Sequence, residues 1–196
     1  MPSGFIFAVL LFLAADLRQA VLSGDLATTQ TILASGFNPN TRDERGGTAL
    51  HDAVWSGKTD LVRVLLDHGA DPNIPHVEGL STPLHYAAIM GRAGIAAMLL
   101  DHGALIKAAD RSGSTALHLA AARGYVDVVK LLIARKAPLE MKDRSGATPL
   151  DAPTLACVLA WVTGAADAPG SDASAPKGSG TGSSLPDAAG DDGGSE

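Results

Sequence analysis

The sequence predicts an all-α solenoid, a stack of helix-turn-helix units joined by β-hairpin-like loops, and three observations carry that expectation. A quartet recurs as Thr48-Ala49-Leu50-His51, Thr82-Pro83-Leu84-His85, Thr115-Ala116-Leu117-His118 and Thr148-Pro149-Leu150-Asp151, at intervals of 34, 33 and 33 residues. Gly57, Gly91 and Gly124 each follow their Thr by nine residues. After each glycine comes an apolar run, over residues 61–66, 95–100 and 128–133. Self-similarity at such a period marks a repeat array, because a unit this short cannot bury its apolar face alone and needs a neighbour stacked on it.

Each element follows from local chemistry. Thr is a good N-cap and Pro suits the first helical turn, so a helix is expected to begin at every quartet. The glycine nine residues on permits a left-handed stop, which keeps that helix short. The apolar runs read as second helices, closed by Gly69 and Gly103 within Asp-His-Gly-Ala. Polar turns, Asp110-Arg111-Ser112-Gly113 and Asp143-Arg144-Ser145-Gly146, then lead to the next Thr. An opening unit is expected over residues 16–40, since Leu17 to Gly24 runs in phase with Leu50 to Gly57 at an offset of 33. It lacks the Thr start, and Thr28-Thr29 replace the apolar pair Leu61-Val62, a polar character that suits a cap. At the other end, Asp151 is placed to cap a helix from Ala152 or Pro153. Leu155, Val158, Leu159 and Val162 would share its apolar face, and Trp161 would pack on the preceding unit.

These residues resemble the ankyrin repeat, whose Thr-Pro-Leu-His-x-Ala signature and period are matched in three copies and a fourth partial one. The resemblance covers roughly residues 16–164 and implies about four repeats plus a shortened C-terminal cap. It also implies that the quartet histidines are internal struts, bonded to the Thr and to neighbouring loop backbone. Three departures stand out: an extra loop residue around Leu80-Ser81, His76 in the usual place of an Asp, and Lys136 where Gly69 and Gly103 supply the left-handed stop. A lysine there implies backbone strain on the order of 1 kcal/mol.

Composition narrows the function. The formal charge of −6 is uneven: residues 165–196 carry six acids against one lysine, and residues 1–164 carry 15 acids against 14 bases. A nearly neutral body offers no footprint for a phosphate backbone, which argues against nucleic acid. The single cysteine, Cys157, excludes an intramolecular disulfide and reads as a small core residue. His51, His85 and His118 recur once per repeat, and layers about 10 Å apart cannot converge on one zinc ion. His68 and His102 precede the glycines that end second helices, where a partial positive charge suits the helix dipole. No phosphate loop, dinucleotide fingerprint, metalloprotease motif or nucleophile elbow occurs. Neither an enzyme nor a bound cofactor or metal is expected.

A recognition surface is what remains. In a solenoid the first helices and the hairpin tips form a concave wall, and the resemblance implies that this wall holds another protein. Positions next to the quartet histidines and before the stop glycines nominate an apolar stripe of Leu22, Trp55, Tyr86, Ile89, Met90 and Leu119, accompanied by Asp52 and Arg123. Trp and Tyr are the commonest anchors of protein interfaces. Some of these side chains are alternatively ordinary core between repeats. Arg42, Arg45, Arg111, Lys142 and Arg144 at the loop tips would frame an acidic edge on the partner, or simply be a solvated face. A monomer is expected.

Residues 5–15 form an unbroken run of 11 apolar residues. As a helix this would reach about 16 Å, half the hydrocarbon thickness of a bilayer. Its length suits the core of an export signal ending in small Ala14 and Ala15, or a membrane-associating segment, although no Lys or Arg precedes it. A start placed too early and an apolar helix folded over the first repeat are the alternatives. Periplasmic or membrane-associated placement is accordingly weighed against the cytoplasm. From Ala165 onward Ala, Gly, Ser, Pro and Asp dominate, the composition of a disordered acidic tail.

Overall fold

The computed structural model describes residues 17–152 and Leu155. Among the described residues, helices run in pairs: α1 (residues 17–23) with α2 (Leu26–Ala34), α3 (Ala49–Ser56) with α4 (Thr59–Asp67), α5 (Pro83–Ile89) with α6 (Ala93–Asp101), and α7 (Ala116–Arg123) with α8 (Val126–Ala134). A 3-10 turn, Pro149–Asp151, follows. First helices stack on first helices and second on second. Among the described residues the β pairing is a single bridge between Ala109 and Thr115.

The expected boundaries are found. Thr48, Thr82 and Thr115 are N-caps in extended backbone. Gly57, Gly91 and Gly124 turn left-handed, with φ of 70°, 67° and 76°. Two of the three departures show in the backbone. Lys136 adopts φ 61°, and its turn repeats the bonding of Gly69 and Gly103: the Lys136 N–H donates to Ile133 and the Ala137 N–H to Leu132. In the second hairpin the extra residue shifts the left-handed position from glycine to Leu80 (φ 55°), and the Leu80 N–H donates to the His76 carbonyl.

The core is a ladder of equivalent residues. Leu17, Leu50, Leu84 and Leu117 occupy one rung position and Ile32, Leu65, Leu99 and Leu132 another, all buried. Burying each such side chain contributes about 1.5–3 kcal/mol, which only the next layer makes available. The last quartet breaks the ladder: Leu150 is 39% exposed, and Leu155 is buried instead. In the opening unit Thr29 is buried where Val62 lies in the next, and its hydroxyl donates to the Asp25 carbonyl at 2.7 Å. Asp25 also caps α2, accepting from the Thr28 N–H.

Asp151 is the third residue of the turn after Thr148, and its Oδ2 accepts from the Thr148 N–H at 2.6 Å and from the Thr148 hydroxyl at 2.9 Å. It therefore takes the part histidine plays in the other quartets; residues 153 and 154, at the start of the helix expected from Ala152 or Pro153, lie outside the described residues. The apolar run 5–15, Cys157, Val158, Leu159, Trp161, Val162 and the acidic stretch 165–196 lie outside the described residues. No described helix is long and apolar enough to cross a membrane.

Candidate functional site

The first helices are fixed from beneath by the quartet histidines. His51 Nδ1 accepts from the Thr48 backbone N–H at 3.1 Å and lies 2.9 Å from the Thr48 hydroxyl, while its Nε2 lies 3.3 Å from the Ser81 carbonyl in the next repeat. His85 repeats this with Thr82 and Ser114, and His118 with Thr115 and Ala147. A backbone N–H can only donate, so Nδ1 must be bare and Nε2 must carry the proton. Each imidazole is thus a neutral brace between layers. Burial pushes His51 down to about 4 and lowers His85 likewise.

Arg18 holds the corresponding place in the opening repeat, 33 residues before His51. Its guanidinium bridges Asp43 Oδ2 at 2.9 Å and Asp52 Oδ2 at 2.8 Å, and the bond to Asp52 is the main reason its affinity for the proton rises. Asp52, nominated as a partner contact, is half-buried and already engaged. Beside it a cleft of about 390 Å³ is lined by Leu17, Leu22, Phe37, Thr41 and Arg42 among others.

Of the nominated stripe, the structure brings Trp55 and Tyr86 together. Their ring centroids lie 5.7 Å apart at 80°. Tyr86 also meets the His51 ring edge-on at 5.5 Å and the His76 ring at 6.3 Å. Trp55 is 51% exposed and Leu22 44%. Tyr86 and Leu119 are half-buried against the core, and Ile89 and Met90 are half-buried at the end of α5. The stripe is therefore prominent at Leu22 and Trp55 and recessed from Tyr86 to Leu119. Arg123 is exposed at the last residue of α7. Burial raises the Tyr86 phenol, and the carboxylates of Asp52 and Glu78 raise it further.

The hairpin tips are sewn together by backbone. The Arg111 N–H donates to Gly79 at 2.8 Å and the Arg144 N–H to Ser112 at 2.9 Å. Asp110 and Asp143 close their turns by accepting from the N–H groups two and four residues on. Of the basic side chains at the tips, Arg42 donates to the carbonyls of Gly46 and Pro75, and Arg111 to that of Val77. Arg45 and Arg144 are exposed.

Several joints were not found from the sequence. Asn40 donates to the Gly69 carbonyl and accepts from the Asp71 N–H; Asn73 does the same with Gly103 and Leu105. Ile106 and Leu139 stand at the same place in later repeats and pack against the core instead. The 33-residue offset between the two asparagines was the available signal. Lys58, Arg92 and Tyr125 each lie over the stop glycine of the preceding repeat, Gly24, Gly57 and Gly91. Lys58 also donates to the Val21 and Leu22 carbonyls at the end of α1. Among the described residues no cluster of three or more His, Cys, Asp or Glu is arranged to hold a metal ion.

Comparison with known proteins agrees with this architecture. A family model for ankyrin repeats (3 copies) matches residues 17–110, and one for ankyrin repeats (many copies) matches residues 99–151. Similar stretches occur in the 2-5A-dependent ribonuclease of Mus musculus, 43% identical over 60 residues, or 30% of this chain and 8% of that protein. The Homo sapiens protein of the same name is 46% identical over 57 residues, 29% of this chain and 8% of that protein. Ankyrin repeat domain-containing protein 46 of Rattus norvegicus is 45% identical over 49 residues, 25% of this chain and 22% of that protein. The matches thus span at most 22% of these relatives' length. With the quartets, the left-handed stops and the paired layers all in phase over the matched residues, the chain belongs to the ankyrin repeat family.

Proposed function

We propose that this chain is a non-catalytic adaptor that holds a partner protein along its concave face and hairpin tips, with the Trp55–Tyr86 pair at the centre of the contact. Ankyrin repeats are generally protein-interaction modules. The observation that supports this surface is Trp55, a large aromatic left half in solvent and supported edge-on by Tyr86. Around it Leu22, Asp52, Ile89, Met90, Leu119 and Arg123 form the contact, with Arg45, Arg111 and Arg144 along the tips. The repeat domain is taken to run over residues 16–164, as a monomer, with residues 165–196 an acidic tail. The test is affinity capture with the wild type and with Trp55→Ala/Tyr86→Ala, alongside circular dichroism and melting of both. Loss of the partner with folding retained supports the reading; unaltered capture rejects it, and an unfolded double variant reassigns the pair to the core.

A second reading rests on the 11 apolar residues 5–15: delivery of this scaffold to or across a membrane. Mass spectrometry of the mature N-terminus after fractionation decides it. A chain beginning near Asp16 in an exported fraction supports it, and intact Met1 in the soluble cytoplasm rejects it.

A further inference from the structure

Building on the concave-face reading above, we propose that the Trp55–Tyr86 corner receives a cationic side chain, lysine or arginine, of the partner protein. The ring geometry is the first ground. An aromatic face is negative and attracts a cation, most strongly for Trp. Here two rings stand at 80° with centroids 5.7 Å apart, and the larger is half exposed.

The corner is also held in place before any partner arrives. Tyr86 rests edge-on against His51 at 5.5 Å, and His51 is itself braced between Thr48 and the Ser81 carbonyl. A site held by its own fold loses little freedom on binding.

Charge is the second ground. The charged groups acting on the Tyr86 hydroxyl are two carboxylates, Asp52 and Glu78. The nearby bases have other work. Arg18 is shared between Asp43 and Asp52, Arg42 is bound to the Gly46 and Pro75 carbonyls, and Arg111 to that of Val77. Glu78 is exposed and forms no ion pair among the described residues. An apolar side chain at this corner would leave the charge of Asp52 and Glu78 unanswered, and an acidic one would be repelled by them. A cation satisfies both the rings and Glu78.

The experiment needs no partner. The full chain, 15N-labelled, is titrated with acetyl-Gly-Arg-Gly-amide and with its neutral citrulline counterpart, following the Trp55 indole N–H assigned through Trp55→Phe. The arginine peptide is expected to move that signal saturably and the citrulline peptide to leave it in place. Glu78→Gln, an exposed change that keeps the fold, is expected to weaken the arginine response about threefold, the size of an exposed ion pair. Equal shifts from both peptides, no shift from either, or a Glu78→Gln response equal to wild type overturns the proposal. The two readings fail separately. If Trp55→Ala/Tyr86→Ala loses the partner but arginine leaves the wild-type indole unmoved, the concave-face reading stands and the cation claim falls. If arginine binds while the double variant still captures the partner, the interface reading falls, and with it the claim that the cation is the partner's.

Discussion

His85 joins two repeats through both of its ring nitrogens: Nδ1 takes the Thr82 N–H at 3.1 Å, and Nε2 reaches the Ser114 carbonyl at 3.1 Å in the layer beyond. A second proton on Nδ1 would face a donor, so this joint exists only with the ring neutral. His51 is built the same way.

Stability is therefore expected to fall with acid. An unfolded imidazole titrates near 6.5, whereas burial holds folded His51 at about 4 and lowers His85 too. The unfolded chain takes up protons first, so the contribution is full above pH 6.5 and is lost as pH falls from there toward 4. For His51 alone the loss is on the order of 3 kcal/mol. Urea unfolding at pH 7, 6 and 5 measures it. A midpoint unchanged across that range would contradict the neutral-brace geometry.

The stop glycines should differ in how well they tolerate a methyl group. Gly69 and Gly91 both have positive φ, but a Cβ at Gly69 meets nothing within 4 Å, whereas one at Gly91 would lie 2.7 Å from the Tyr125 ring. Gly69→Ala is expected to cost about 1 kcal/mol from backbone strain. Gly91→Ala is expected to cost at least about 1 kcal/mol more, as overpacking is added. Thermal melts of the two variants, compared directly, give the difference.

The reverse substitution should help where the array has the wrong residue. Leu80 and Lys136 hold positive φ at positions that Gly46 and Gly69 fill elsewhere. Leu80→Gly and Lys136→Gly are each expected to stabilise by up to about 1 kcal/mol, reduced by the greater freedom of glycine in the unfolded chain. If chemical denaturation shows either variant weakened, another contact at that site outweighs the strain.

Much of this frame could be read from residue order, because it depends on local rules at a fixed period. The Thr starts, glycine stops, apolar second helices and the misplaced Lys136 are all properties of a few consecutive residues. The joints between layers were less legible. The offset of 33 already places Arg18 in the histidine slot, but only the fold shows that it bridges Asp43 and Asp52 there. The bond from Asp151 back to Thr148 was missed for a similar reason: a carboxylate can cap forward or answer the Thr behind it, and residue order does not say which bonds form. The candidate surface was partly legible. Equivalent positions identified Trp55 and Tyr86, but how far each side chain protrudes depends on its stacked neighbour. That neighbour leaves Trp55 in solvent and recesses Leu119.

The asparagine brackets give another measurable joint. Asn73 ties its own loop to the next through two backbone groups, Gly103 and Leu105. Asn73→Ala is expected to cost about 1–2 kcal/mol, since water replaces part of the two lost bonds at this half-exposed site. Hydrogen exchange at the Leu105 amide should quicken in the variant; protection equal to wild type would mean that the bracket is not what shields it.

The greatest sequence separation spanned by any side-chain hydrogen bond among the described residues is 37, from Lys58 back to Val21. During synthesis, a join of this reach can close once the following unit has emerged from the ribosome, with no need for distant chain. Short-range contact maps of this kind favour rapid folding, so the N-terminal layers can be docked while later ones are still being translated, which limits the time an open apolar face is offered to the wrong neighbour.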